Sequence, residues 1–223
     1  MKQIPLPIGT AAARTFENFA TGANAATLAH LRSLVPRAAP VYLWGPTGSG
    51  KTHLAQAVVG RMQAEGVRCV SFGAEVAAPW VGSDPCAIIV IDDCERLGSE
   101  QQQCAFSLFV QAAEGGATII AAGRLPPVDL PLREDLRSRL GWGHVMAVHA
   151  LSEQEVRAAL RREADRRGIL LSDEVMEYLL TRFARDLKSL LDLLSRLDEF
   201  SMAEQRSVTV PLLKQMLAKG PGA

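Results

Sequence analysis

The chain has no excess of charge of either sign: its 223 residues include 24 Lys and Arg against 24 Asp and Glu. So even a balance argues against a broad nucleic-acid-binding surface, although a local basic patch stays open. Long hydrophobic runs are missing too. The first residues, Met1-Lys2-Gln3-Ile4-Pro5, lack the apolar stretch of a signal peptide, and no window approaches the ~20 apolar residues of a membrane span. No membrane association is therefore expected. Among the four cysteines, Cys69, Cys86, Cys94 and Cys104, there is no Cys-x-x-Cys pair and no histidine at metal spacing. Cys69, Cys86 and Cys94 sit in or beside apolar stretches, so reduced and mostly buried thiols are expected, which fits a cytoplasmic compartment. His30, His53, His144 and His149 show no ligand spacing either.

What is present is material for a core. The chain is 48% hydrophobic and 22% charged, which excludes a disordered protein. Its length suits one medium domain, or a domain with a small appendage.

Residues 41–54 read V-Y-L-W-G-P-T-G-S-G-K-T-H-L. The apolar run from Val41 to Trp44 suggests a buried strand, and Gly45-Pro46-Thr47-Gly48-Ser49-Gly50-Lys51-Thr52 follows it directly. Leu54, Ala55, Ala57, Val58 and Met62 then recur at helical spacing. This is G-x-x-x-x-G-K-[ST] between a strand and a helix, the context that gives the match meaning. Glycines let the backbone curl so that successive N–H groups point at one phosphate, and the helix presents its positive end to the same charge. The cofactor expected is ADP or ATP; Lys51 would reach its β-phosphate and, in ATP, the γ-phosphate, and the Thr52 hydroxyl would ligate Mg2+. His53 closes the candidate nucleotide-contacting run. The alternative is a glycine-rich turn before a helix.

Around this motif, apolar runs alternate with helical periodicity. Strands are expected at 67–72, 87–91, 118–122 and 145–148, besides the one before the loop. Helices are expected within 15–35 and from the loop to about Glu65, then at 100–114 and 136–140. Such alternation implies a parallel sheet of βαβ units. After Leu151 no strand follows. Ser152-Glu153-Gln154-Glu155 has a capping-box pattern, and helices are expected at 172–183, 186–202 and 210–217. The expected organisation is a flexible tail at 1–13, an α/β domain at 14–150 and a small all-α domain at 151–219. The run at 87–91 ends in Asp92-Asp93. There Asp92 could hold Mg2+ through water and Asp93 could polarise attacking water, the alternative being a helix cap or turn.

Three further segments carry a resemblance. Arg137-Ser138-Arg139-Leu140-Gly141-Trp142-Gly143 is similar to the S-R-[FL]-x-W-G segment of the DnaA/Hda clade of AAA+ ATPases. Gly123-Arg124-Leu125-Pro126-Pro127 resembles the [SD]-R-x-P loop of that clade, and residues 182–197 resemble its sensor helix. The resemblance covers about residues 14–218. It implies the fold class, a P-loop AAA+ parallel-sheet sandwich followed by a small all-α lid domain. It also implies that Arg139 is an arginine finger, offered across an interface to a neighbour's nucleotide. Lys188 falls where the clade's sensor arginine belongs, keeping the charge but losing the forked geometry. Ala121-Ala122-Gly123 replaces the usual polar sensor, and Asp93 stands where a glutamate would reach further. Weak intrinsic hydrolysis is the expectation, with nucleotide held more readily than it is cut.

The Hda type is preferred because no residues remain after the lid for the DNA-binding domain of an initiator, so no direct sequence-specific DNA binding is expected. Gln3-Ile4-Pro5-Leu6-Pro7-Ile8 resembles Q-x-x-L-x-[LF] peptides that bind the DNA polymerase III sliding clamp. Gln3 would supply hydrogen bonds, and Leu6 and Ile8 would anchor in an apolar groove. The alternative is a tail with accidental similarity. A DnaA-type initiator is the other implied partner, and a homodimer is left open. The basic residues Arg157, Arg161, Arg162, Arg166 and Arg167 are interspersed with acidic ones, which favours a solvated face over a nucleic-acid stripe. A regulator of replication initiation that activates its partner's ATPase is the reading that results. A self-sufficient ATPase or helicase loader, and a non-catalytic nucleotide-gated adaptor, are the alternatives.

Overall fold

The computed structural model describes residues 13–80, 87–183 and 186–219, which fall into two compact units. One takes the chain up to Phe19 with Asn24–Gly45 and Gly50–Val148. The other takes Ala20–Ala23, Pro46–Ser49 and the chain from His149 on.

In the first unit β1 (Val41–Trp44), β2 (Cys69–Phe72), β3 (Ile88–Ile91), β4 (Thr118–Gly123) and β5 (His144–Ala147) form one sheet in the order β2-β3-β4-β1-β5. Every pair is parallel, with Val41 in register with both Ile120 and His144. Parallel neighbours need crossovers, and helices supply them: α2 (Lys51–Ala64), α3 (Ser99–Gly115) and α4 (Glu134–Leu140), with α1 (Ala25–Arg32) ahead of β1. The side-chain period of two then splits each strand between two cores. Leu43, Ile88, Val90, Ile120 and Ala122 pack with Leu28, Leu31, Leu54, Val58 and Met62 on one side. Tyr42, Ile89, Ile91, Ile119 and Ala121 pack with Leu108, Phe109 and Leu136 on the other. Burial on both faces is why β3 and β4 read as unbroken apolar runs.

Elements lie where the periodicity put them, within a few residues at their ends. Two 3-10 turns, Cys94–Arg96 and Pro127–Asp129, were not expected from the sequence. Of the cysteines, Cys94 is buried, Cys69 and Cys104 are half-buried, and all three are free thiols; Cys86 lies outside the described residues. Trp80 is core, stacked on Phe72 with ring centroids 4.9 Å apart. Among the described residues no helix is long and apolar enough to cross a membrane.

The second unit carries α5 (Glu153–Arg166), α6 (Asp173–Arg182), α7 (Leu187–Glu204) and α8 (Val210–Ala218). Their apolar stripes meet in one core that includes Leu160, Met176, Leu179, Leu190, Leu197 and Leu212. Each helix has its own polar start. The side chains of Ser152, Ser172, Asp186 and Thr209 accept from the backbone N–H groups of Glu155, Val175, Ser189 and Leu212. Ser152 completes a capping box, since its N–H donates to Glu155 Oε2 at 2.7 Å. Four of the five basic residues on and just after α5 are paired with carboxylates: Arg157 with Glu177 at 2.7 Å, Arg161 with Asp173 at 2.5 Å, and Arg166 and Arg167 with Glu163. Exposed pairs of this kind add little stability. They do fit a solvated face.

Ser152→Ala removes the acceptor that starts α5 and is expected to destabilise the helical unit by about 1 kcal/mol. A urea melt followed by far-UV circular dichroism should show an earlier transition, and an unchanged melt would contradict this role.

Candidate functional site

β1 ends under the glycine-rich loop and fixes its root. Gly45 N–H donates to the Gly123 carbonyl at the end of β4, at 3.2 Å, and Ser49 N–H donates to the Pro46 carbonyl, also at 3.2 Å. Gly48 and Gly50 have φ of +81° and +102°, where an L side chain is strained. Space forbids a side chain as well. A Cβ on Gly50 would lie 2.6 Å from Phe19 Cε2, and in the second unit a Cβ on Gly48 would lie 2.7 Å from Asp186 Cβ. Pro46, Thr47 and Gly48 are exposed, whereas Ser49 is buried and its Oγ has no hydrogen-bond partner among the described residues.

Lys51 opens α2 and is only 8% exposed. Its Nζ donates to the Gly45 carbonyl at 2.8 Å. Burial lowers its pKa, opposed by the negative charges of Glu95, Asp92 and Asp93, in that order. Thr52 follows, half-buried. The His53 ring turns to the N-terminal segment: Nε2 donates to the Thr15 carbonyl at 2.8 Å, and the ring meets Phe19 edge-on at 5.3 Å. Its pKa is lowered, chiefly by burial.

The acidic pair after β3 is half-buried. Asp92 Oδ1 accepts from Asp93 N–H at 2.9 Å. Asp93 has a left-handed backbone, φ +50°, and heads the turn Cys94–Arg96 while pairing with Arg96 at 3.4 Å. That turn swings a third carboxylate back to the sheet, and Glu95 Oε2 accepts from Arg124 N–H at 3.1 Å. It lies 3.2 Å from where a Gly123 Cβ would be, a place already filled by the Tyr42 hydroxyl, which donates to the Leu125 carbonyl at 2.8 Å. Position 123 therefore has no room for a polar sensor. Glu95 and Arg124, both within electrostatic range of Lys51, belong to this site. Sequence reasoning missed Glu95 because it stopped at the acidic pair, and a three-residue turn leaves no periodic signal to follow.

Arg139, on α4, makes no hydrogen bond or ion pair with this set among the described residues. Its guanidinium stands over Trp142, 4.8 Å from the ring centroid, and 6.0 Å from that of Phe106. Trp142 is 64% exposed, and Leu125 and Val128 are exposed too. Lys188 is exposed in the first turn of α7, whose N-cap Asp186 accepts from Ser189 N–H at 2.9 Å. Gln3, Leu6 and Ile8 lie outside the described residues.

A parallel sheet in this order, with a phosphate-type loop after β1, acidic residues after β3 and four helices later in the chain, defines a P-loop protein of the AAA+ kind. The family described as Hda, lid domain, matches residues 153–217. An uncharacterized protein of Haemophilus influenzae is 33% identical over 227 residues, spanning 97% of this chain and 98% of its own. Domain III of the Thermotoga maritima replication initiation protein DnaA superposes with a TM-score of 0.76 at 20% identity, over 93% of this chain and 97% of that one. AMPPCP-bound DnaA from Aquifex aeolicus gives 0.68 at 20% identity, over 93% and 69%. The chain belongs to the Hda/DnaA clade of AAA+ proteins.

Gly50→Ala is expected to destabilise the first unit by about 1–3 kcal/mol, and adding Phe19→Ala to relieve the clash should not restore it, because the backbone strain stays. Full rescue in a urea melt would refute the strain argument. His53 gives a pH dependence. Its folded pKa lies below the unfolded value of about 6.5, so protons bind the unfolded chain better and stability falls as pH drops from about 7.5 to about 5.5. His53→Gln should lessen that fall in paired urea melts.

Proposed function

We propose that this protein binds ADP or ATP at the Gly45 to Thr52 loop and regulates replication initiation by completing the ATPase site of a DnaA-type initiator with Arg139. One observation carries this reading above the others. The half-buried candidate finger stands over the exposed Trp142 indole, while the chain's own site lacks a side chain at the end of β4. A guanidinium so placed can neutralise charge developing on a neighbour's γ-phosphate. Clade membership and the lid match support the partner, and the AMPPCP carried by the Aquifex aeolicus neighbour supports the ligand.

Residues 14–150 would form the nucleotide-binding domain and 151–219 the lid, with Lys188 as its cation toward nucleotide. Lys51 would neutralise phosphate charge in a nearly dry setting, where Coulomb attraction is strong. The partnerless Ser49 hydroxyl fits an oxygen-rich ligand beside it. Among the described residues no three His, Cys, Asp or Glu side chains converge on a metal. Magnesium would therefore rely on Thr52, on Asp92 through water and on the nucleotide's own oxygens. Bound there, it neutralises phosphate charge. The segment Gln3 to Ile8 would tether the protein to the sliding clamp in the cytoplasm.

Phosphate release by a purified initiator, in the presence of DNA-loaded clamp, should rise when this protein is added. Arg139→Ala should lower that stimulated rate at least about tenfold, since arginine fingers contribute about 10³–10⁵ in rate. Removing residues 1–8 should abolish capture on clamp. Rapid turnover by this chain alone would point instead to a self-sufficient ATPase, and clamp capture without stimulation to an adaptor.

A further inference from the structure

We propose that Glu95, and not Asp93, is the carboxylate that faces the terminal phosphate of a bound nucleoside triphosphate, and that its charge biases the site toward the diphosphate. The assignment rests on the loop being a nucleotide site. It starts from where each carboxylate is committed. Asp92 Oδ1 is turned onto the next backbone N–H. Asp93 is drawn outward by an ion pair with Arg96, a side chain that is 69% exposed. Glu95 points the other way, along a short chain of contacts to the loop. Its Oε2 takes the Arg124 N–H and lies beside Gly123. The Gly123 carbonyl accepts from Gly45 N–H, and the Gly45 carbonyl accepts from Lys51 Nζ. Glu95 Oε1 has no donor among the described residues.

The same corner has no side chain on β4, since Tyr42 Oη closes position 123. Glu95 is thus the charged group that lies beside the space a β4 sensor would fill, next to the Tyr42 hydroxyl. The difference between a sensor and this residue is charge. An Asn or Thr would donate to a γ-phosphate oxygen, whereas a carboxylate repels it and leaves the β-phosphate to Lys51. A neutral group of the same shape keeps the acceptor for Arg124 N–H and removes only the repulsion.

The test is competition of ADP and AMPPCP, with magnesium, against a fluorescent nucleotide on the full chain. In Glu95→Gln the affinity ratio of AMPPCP to ADP should rise about tenfold, the scale of one unit charge removed at short range in a partly screened site. In Asp93→Asn it should change less than about twofold. A thermal melt checks folding of each variant, and Glu95→Met, also neutral, must shift the ratio the same way if the glutamine variant is unstable. An unchanged ratio in the neutral variants, or a larger change in Asp93→Asn, overturns the assignment to Glu95 while leaving the nucleotide site standing. Failure of the unaltered chain to bind either nucleotide overturns the site, and the assignment falls with it.

Discussion

One ammonium group governs this architecture. Lys51 sits almost out of water at the start of α2, and a cation in that position is costly unless opposite charge or a hydrogen bond meets it. Without a ligand, the Gly45 carbonyl and the nearby acids Glu95, Asp92 and Asp93 meet that need. The carbonyl follows β1 and the acids follow β3, on either side of β4, so the strand order is what brings them together. The loop glycines serve the same end, because the backbone can curl around the ammonium only where no Cβ intrudes.

The acids around Lys51 do different jobs although they come from one short segment. Asp92 and Asp93 spend hydrogen-bonding capacity on their own turn, which makes that turn tight enough to return Glu95 to the sheet. Local geometry thereby decides which backbone or side-chain partner each carboxylate meets. Arg139 is governed by a different balance. Its guanidinium is paired with an aromatic face and not with a carboxylate, so it stays ordered without being neutralised. That is the state the proposed finger would need.

Much of this was legible in the residue order. The loop motif and the apolar runs of β3 and β4 are local signals, and so are the capping serines of α5 and α6; the structure places elements there. Strand order was not legible, because pairing of β1 with both β4 and β5 is a long-range outcome that no window contains. Glu95 was hidden for a related reason. A 3-10 turn of three residues gives no periodic signal, yet it redirects a side chain by a full strand spacing. Tyr42 reads as one apolar letter in a strand, and only the fold shows its hydroxyl filling the space beside Gly123. His53, grouped with the loop by adjacency, proved to have its ring engaged by Thr15 and Phe19.

The interlock of Tyr42 with Gly123 also bears on descent. Any codon change that put a threonine or asparagine at 123 would meet the phenol oxygen of a residue two strands' worth of chain away, and the buried ring has nowhere to retreat. Placing a polar side chain at 123 would need both positions to change together. While Tyr42 stays, sterics keep position 123 a glycine, much as a ratchet tooth holds a wheel.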